Sequence, residues 1–256
     1  MRSIFLVLIV FSVAAAQRPA TPKGRQLLLD FRTDNNPAAV KITPATERNV
    51  LSKIFRRYLT DQNRCNTNFD YSKVDANDVL AAARKAGQIV PFIEDVATGS
   101  FTAAGQSQTA YVISVNECNA THADNFGSKR VAIFAGQQLV AEFDTNFKRT
   151  IERQIDLNGD GIDELLMSGG DMGQGTLMQV AALVSFQNGR LRVIEDFLTV
   201  VEDDCATLRP GSTRKASVLY FSTAAPGAMP KLIQDNYVAS CKNTKRWRFA
   251  SSGRMQ

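Results

Sequence analysis

The stretch that decides the fold is DLNGDGIDELLMS, which runs from Asp156 to Ser168. Its first half gathers acidic and amide side chains around two glycines, and its second half is an apolar run typical of a β-strand. Carboxylates placed so close together repel one another unless a cation lies between them. The stretch therefore predicts a cation-binding loop that leads directly into a strand.

Five residues of this loop are predicted to coordinate calcium. Counted from the first aspartate, positions 1, 3, 5, 7 and 9 are Asp156, Asn158, Asp160, Ile162 (through its backbone carbonyl) and Glu164. Calcium takes about six to eight oxygen ligands, and a glycine at position 6 allows the bend that turns alternate residues inward. Magnesium fits less well because it retains much of its water shell. A polar turn whose acids are merely solvated is the alternative.

The residues that follow the loop exclude an EF-hand, which needs a glutamate at position 12, where this chain has Met167. The loop instead resembles the D-x-[DN]-x-D-G-x-x-[DE] loop of FG-GAP or VCBS repeats, the calcium-binding blades of integrin α-chain propellers and many exported bacterial proteins. The resemblance covers about 100 residues, from Val96 to Phe197, with Glu164 in place of the commoner aspartate. It implies calcium held by the same five residues, and a strand after position 9.

The decisive stretch has a degenerate copy upstream, TAAGQSQTAYVIS, which spans Thr102 to Ser114 and has lost the ligands. In this alignment Tyr111-Val112-Ile113 matches Leu165-Leu166-Met167. Each copy is followed by a predicted hairpin, one turning around Gly136 and the other at Asn188-Gly189. The segment ASVLYFS…PKLIQDNYVASC is interpreted as a third unit.

Repeats of about fifty residues with four short strands are typical of propeller blades. Three units are fewer than the roughly four or more blades that close a propeller. We therefore predict an α+β, mostly β fold. It consists of antiparallel blade-like β-sheet repeats in an open, partial propeller-like stack, capped by an N-terminal pair of helices.

Four segments are predicted along the chain: a signal peptide (1–16), an extended leader (17–43), a helical segment (44–90) and the β-repeat domain (91–256). The N-terminus combines Arg2, an apolar core of about ten residues and small residues ending at Ala16, which is typical of a secretory signal peptide cleaved after Ala16. We expect a secreted or periplasmic protein that has no stable membrane insertion after cleavage.

Two amphipathic or capped helices are predicted in the helical segment. The first runs from the cap residue Thr43 to about Leu59, with Pro44 in its first turn, and the second runs from Asn77 to Gly87. A membrane-surface role for the basic first helix is the less favoured alternative.

The four cysteines are Cys65, Cys118, Cys205 and Cys241, and an even number in an exported chain favours two disulfides. We expect Cys205–Cys241 and Cys65–Cys118 because each joins neighbouring segments, although three pairings are possible. The net charge of +5 is too small for the whole chain to indicate a nucleic-acid partner.

Other patterns have a simpler structural interpretation. The lone His122 and the sequon at Asn119 lie in a polar segment, and no G-x-S-x-G elbow supports a catalytic triad. The glycine-rich run 168–175 lacks the lysine of a phosphate loop and is interpreted as a flexible loop beside the calcium site. The basic and aromatic run KNTKRWRFASSGR is interpreted as a half-buried edge strand in preference to a base-stacking surface.

The expected function is that of a non-catalytic binding module, with calcium in a structural role and a protein or glycan as its partner. Two alternatives stay open. One is a secreted hydrolase using paired carboxylates from Asp163 and Glu164, or from Glu202, Asp203 and Asp204. The other is an inhibitor of an extracellular enzyme.

Overall fold

The computed structural model describes residues 24–33, 42–55, 89–117, 129–146, 148, 150–207, 209–225 and 227–255. Regular structure in this part of the chain is twelve β-strands and one α-helix, so the mostly β, antiparallel class is confirmed. The predicted signal peptide, the second helix and the Cys65–Cys118 pair lie outside the described residues. None of the helices in the described ranges is long and apolar enough to cross a membrane.

The helix and strands are, in chain order, β1 (Arg25–Asp30), α1 (Pro44–Ile54), β2 (Ile89–Gly99), β3 (Gln108–Glu117), β4 (Lys129–Ala135), β5 (Gln138–Asn146), β6 (Thr150–Ile155), β7 (Glu164–Gly173), β8 (Thr176–Ser185), β9 (Arg192–Asp203), β10 (Thr213–Ser222), β11 (Leu232–Ser240) and β12 (Asn243–Ser252). Strands β2 to β5 form one sheet in sequence order. Strands β6 to β12 form a second sheet in sequence order, and β1 pairs with β10 beside it.

Each of the three predicted units has four strands. The first is β2–β5 and the second is β6–β9, as expected for blade-like repeats. The third contains β10–β12, and its first strand is β1, from near the N-terminus. Strand β10 pairs with β9 only over Arg214–Ala216 and then with β1 over Val218–Ser222. The leader segment therefore supplies the strand that completes the last unit.

The bulges in the first two units confirm the strand part of the sequence alignment. Strand β2 bulges between Ile93 and Asp95, opposite Ile113 and Val112. Strand β6 bulges between Ile151 and Arg153, opposite Met167 and Leu166. Because the sequence alignment places Val112 on Leu166, the two irregularities fall at the same point of the repeat. Bulges of this kind increase the local twist of a strand.

The stacking of the units explains why β7 is apolar on both faces. Leu166 faces a core shared with Leu219 and Phe221 of the third unit, whereas Leu165 faces a core shared with Val112 of the first. The apolar run after the acidic loop therefore has the continuous character of a strand buried on both sides.

The first strands of the first two units are joined by side-chain hydrogen bonds to backbone groups. Asp95 Oδ2 in β2 accepts from the backbone N–H of Ile151 in β6 at 2.7 Å. In return, Gln154 Nε2 in β6 donates to the Thr98 carbonyl oxygen in β2 at 2.9 Å. The edges of two separate sheets are therefore held in register without a shared ladder.

A single arginine connects β6 to β1. Arg153 Nη1 donates to the carbonyl oxygens of Leu27 and Leu28 at 2.7 and 2.8 Å. Leu28 itself is 1% exposed and belongs to the core between the second and third units. The first strands of all three units thus lie next to one another, with β6 between β2 and β1.

Helix α1 covers the outer face of the first unit. Thr43 Oγ1 accepts from the Thr46 backbone N–H at 3.2 Å, which confirms the predicted cap. Val50 and Leu51 pack in a cluster that includes Phe134 of β4. The helix ends at Ile54, because Phe55 has an extended backbone, so the predicted continuation toward residue 59 is wrong at that point.

Candidate metal site

The acidic loop connects β6 to β7 and closes on the pair formed by Ile155 and Glu164. Its first residue, Asp156, organises the backbone. Asp156 Oδ1 accepts from the N–H groups of Gly159 and Asp160 at 2.8 and 3.1 Å, and Oδ2 accepts from Gly161 at 2.9 Å. The first carboxylate thereby bends the next five residues around itself, as the turn-forming chemistry of aspartate allows.

Asn158 and Asp160 continue this pattern. Asn158 Oδ1 accepts from the Asp160 backbone N–H at 3.1 Å, and Asp160 Oδ1 accepts from the Ile162 N–H at 2.9 Å. Asn158 Nδ2 also donates to Asp160 Oδ2 at 3.0 Å. Gly159 and Gly161 have φ values of 75° and 81°, in the left-handed region that a side chain would disfavour. The loop needs both glycines in order to place alternate side chains on its inner side.

Glu164 is the buried end of the loop, with only 2% of its surface exposed. Its Oε2 accepts from the Leu157 backbone N–H at 2.9 Å, and no hydrogen bond from the described residues reaches Oε1. Burial raises the pKa of Glu164 to about 7, and the charges of Asp160, Asp156 and Asp163 add to the rise. The hydrogen bond from Leu157 opposes it. Burial and the neighbouring acids therefore disfavour the ionised form of Glu164.

Three of the five predicted ligand residues line one cavity of about 300 Å³, namely Asn158, Asp160 and Glu164. Arg190 and Arg192 also line it. Asp156 and Ile162 are not part of its lining, and the Ile162 side chain is buried. Among the described residues, no group of three or more acidic, histidine or cysteine side chains is already gathered as a metal cluster.

The donor set nevertheless suits a hard cation. The side chains at positions 1, 3, 5 and 9 all offer oxygens, and calcium prefers carboxylate and amide oxygens. A bound ion would compete with the Asn158 amide for Asp160 Oδ2 and would use the Glu164 oxygen that accepts no described hydrogen bond. Asn158, Asp160 and Glu164 thus offer oxygens that suit calcium, whereas both Asp156 oxygens accept backbone N–H groups and lie outside the cavity lining.

The equivalent loop of the first unit is neutral at the position of Glu164. Gly99 pairs with Gln108 there, just as Ile155 pairs with Glu164, so both loops hold eight residues. Gln108 Oε1 accepts from the N–H groups of Phe101 and Thr102, each at 2.9 Å. The sequence alignment matches Ala110 with Glu164, but in the structure Gln108 occupies the position of Glu164. The alignment is wrong there because the β2–β3 hairpin extends two residues further beyond its bulge than the β6–β7 hairpin does.

Asp163 is a residue whose role the sequence analysis missed. Its Oδ2 accepts from the Ser100 backbone N–H at 2.9 Å, and its own N–H donates to the Ser100 carbonyl oxygen at 2.7 Å. A side chain at Gly99 would collide with Asp163 and with Gln154. The Gly99-Ser100 pair at the end of β2 was the available signal, since glycine in a strand often marks a close approach of another segment.

The second group of acids proposed for a hydrolase is engaged elsewhere. Glu202 pairs with Lys215 at 3.2 Å, and Asp203 pairs with Arg214 at 3.3 Å. Asp204 accepts from Thr176 Oγ1 at 2.7 Å. In the first group, Asp163 faces Ser100 and Glu164 faces Leu157, so neither group presents two facing carboxylates.

The remaining sequence predictions have mixed outcomes. The Cys205–Cys241 disulfide is confirmed. KNTKRWRFASS forms the edge strand β12 with its preceding turn, but the strand is mostly exposed and Phe249 is 58% exposed, so the predicted half-burial is wrong. Residues 168–173 belong to β7, which turns tightly at Gln174 and Gly175, so the prediction of a flexible loop beside the calcium site is wrong. His122 and Asn119 lie outside the described residues.

Comparison of the chain with protein-family models, with curated proteins and with solved structures finds no match.

Proposed function

We propose that the protein is an exported calcium-binding β-repeat protein that acts as a non-catalytic binding module. The observation that carries this proposal is Glu164, a carboxylate that is 2% exposed, has one oxygen without a described hydrogen bond and has a pKa raised to about 7. A hard cation would compensate the charge that burial makes unfavourable. The resemblance of the loop to FG-GAP and VCBS repeats supports the same assignment.

The calcium is proposed to have a structural role. The loop joins β6 to β7, and its last residue, Asp163, holds Ser100 of the first unit. An ion bound between Asp160 and Glu164 would fix the loop at the point where two units meet. Extracellular calcium sites often have dissociation constants of about 10⁻⁴–10⁻³ M, which at millimolar calcium corresponds to roughly 0.4–1.4 kcal/mol of stabilisation.

A binding role is favoured over hydrolysis by how the acidic side chains are used. Glu202 and Asp203 form ion pairs within the sheet, and Asp163 binds the backbone of a neighbouring unit. Carboxylates held in this way stabilise the register of the strands and the packing of neighbouring units. The partner is proposed to be a protein or a glycan met outside the cytoplasm, in the secreted or periplasmic space.

Calcium titration of the mature protein tests the proposal. Calorimetry should show one ion bound per chain, and millimolar calcium should raise the melting temperature by about 1–5 °C relative to EDTA. Asp160→Ala should abolish both effects. Asp171→Ala, which removes an exposed acid from the far end of β7, should keep them. Identical melting curves in calcium and EDTA, together with no heat of binding, would contradict the proposal.

A further inference from the structure

The last fifteen residues of the chain form a strongly basic stretch. The segment 242–256 contains Lys242, Lys245, Arg246, Arg248 and Arg254 and no acidic residue. The whole chain has 30 basic and 25 acidic residues, so without these five the remainder has 25 of each and is neutral. We call residues 242–256 the basic segment and these five residues its cations. Five cations with no acidic residue among them give this stretch a high local density of positive charge.

The basic segment lies on an open edge. Strand β12 is the last strand of its sheet and pairs only with β11 among the described strands. All five cations are exposed. Arg254 lies 3.7 Å from Glu195, whereas Lys242, Lys245, Arg246 and Arg248 have no acidic partner among the described residues. Lys245, Arg246 and Arg248 on β12, together with Lys242 in the turn before it, attract an extended anion.

The geometry of β12 argues against recognition by strand addition. The pairing of β11 with β12 is interrupted between Asn236 and Tyr237 and again between Val238 and Ser240. A partner strand needs a regular run of free N–H and C=O groups, and such interruptions twist an edge away from that pattern. Recognition at this edge therefore depends on the cationic side chains.

The aromatic residues of the segment are arranged unlike a base-stacking platform. Trp247 packs against the core between the second and third units, and Arg214 Cζ lies 5.8 Å from the centroid of its ring. Phe249 meets Tyr237 edge to face at 5.8 Å. Single-stranded nucleic acids are usually held by several rings with free faces. A single exposed phenylalanine also provides little apolar area for insertion into a membrane.

We infer that the basic segment binds a linear polyanionic polysaccharide whose sulfate or carboxylate groups follow β12. This inference deepens the proposed binding role by naming the class of partner. It does not depend on the calcium loop, because none of the five cations belongs to that loop. Binding is therefore expected to be the same in calcium and in EDTA.

Binding of heparin to the mature protein, measured across a salt series in EDTA, tests the inference. Affinity should fall steeply with salt, as it does when cations neutralise a polyanion. Arg246→Gln/Arg248→Gln should weaken binding at 50 mM salt by roughly 10- to 30-fold, since each cation near an anionic surface contributes a factor of about 5. The matched control Arg48→Gln/Lys231→Gln, which removes two exposed cations elsewhere, should change affinity less than about 2-fold.

Three results would overturn the inference. The first is an equal loss of affinity in both double variants, which would reduce the effect to net charge. The second is tighter binding to a thymidine oligonucleotide than to heparin, with a loss in Phe249→Ala. The third is tighter binding to phosphatidylserine vesicles than to heparin. Asp160→Ala should leave heparin binding unchanged while removing the calcium response, so the two proposals fail or stand separately.

Discussion

Asp163 and Ser100 exchange two hydrogen bonds, one from the Ser100 N–H to the Asp163 carboxylate at 2.9 Å and one from the Asp163 N–H to the Ser100 carbonyl at 2.7 Å. The two residues belong to the equivalent loops of adjacent units, 63 positions apart in the chain. The candidate metal loop is therefore part of the junction between the first and second units. A substitution in that loop should therefore alter how the two units pack.

Asp163→Ala should destabilise the protein by about 1–3 kcal/mol, because it leaves the Ser100 N–H without its charged acceptor. Urea unfolding followed by tryptophan fluorescence measures the loss. Calcium binding should be weakened by less than tenfold, since Asp163 is not a predicted ligand. If Asp163→Ala were as stable as the parent protein, the contact between Asp163 and Ser100 would not contribute to the free energy of unfolding.

Gly99→Ala should disturb the same junction from the other side. A methyl group at residue 99 would displace the ends of the Gln154 and Asp163 side chains and break their hydrogen bonds to Thr98 and Ser100, which costs about 1–3 kcal/mol. Gly173→Ala is the matched control, because a methyl group there meets no atom within 4 Å. Differential scanning calorimetry of the two variants should show a lower melting temperature for Gly99→Ala alone.

Glu164→Gln should convert the loop to the neutral arrangement that Gln108 has in the first unit. The amide oxygen can still accept from the Leu157 N–H, while the buried charge is removed. The calcium-free variant should therefore melt at the same temperature as the parent protein or higher, and its response to calcium should be lost. A lower melting temperature in EDTA would show that the carboxylate is needed for folding itself.

Glu152→Gln should change how stability depends on pH. Burial raises the pKa of Glu152 above 4.5, the charge of Asp95 adds to the rise, and the hydrogen bond from Ser168 Oγ at 2.5 Å opposes it. Since the folded-state pKa is raised, protonation stabilises the native state below about pH 4.5, and this contribution is lost as the pH rises through the folded value.

The difference in unfolding free energy between the parent protein and Glu152→Gln isolates this effect from other titrating groups. The parent protein should gain stability relative to the variant as the pH falls from 7.5 to about 4.5. Urea titrations at both values give the comparison. A difference independent of pH would mean that Glu152 has the same pKa in both states.

The Cys205–Cys241 disulfide should contribute about 3–4 kcal/mol, as the loop-entropy relation gives for a closed loop of 36 residues. It ties the connection between β9 and β10 to the turn between β11 and β12. Cys205→Ser/Cys241→Ser should unfold at correspondingly lower urea concentration. Reduction of the parent protein should lower the midpoint at least as far, because it also opens any bond between Cys65 and Cys118, and equal midpoints for oxidised and reduced protein would contradict the prediction.

Local patterns predicted those parts of the fold that local chemistry determines. The acidic loop, the hairpin at Asn188-Gly189 and the edge strand around Trp247 each depend on residues within about ten positions of one another. The cap at Thr43 is of the same kind. Turn chemistry, alternation and capping act over such distances, so these elements could be found without coordinates.

Features that depend on distant partners could not be predicted in this way. Strand β1 is a short run within a polar segment, and Asp30 pairs with Val218, 188 positions later. The role of Asp163 needs the neighbouring unit to be present. The sequence alignment matched Glu164 with Ala110 instead of Gln108, because a pattern match cannot show that one hairpin is longer than its copy.

The pairing of β1 with β10 also has a consequence for biosynthesis. Among the described strands β1 is synthesised first, and its strand partner β10 follows 188 positions later at the Asp30–Val218 pair. A product truncated before β10 would therefore leave β1 without its partner strand and the third unit incomplete.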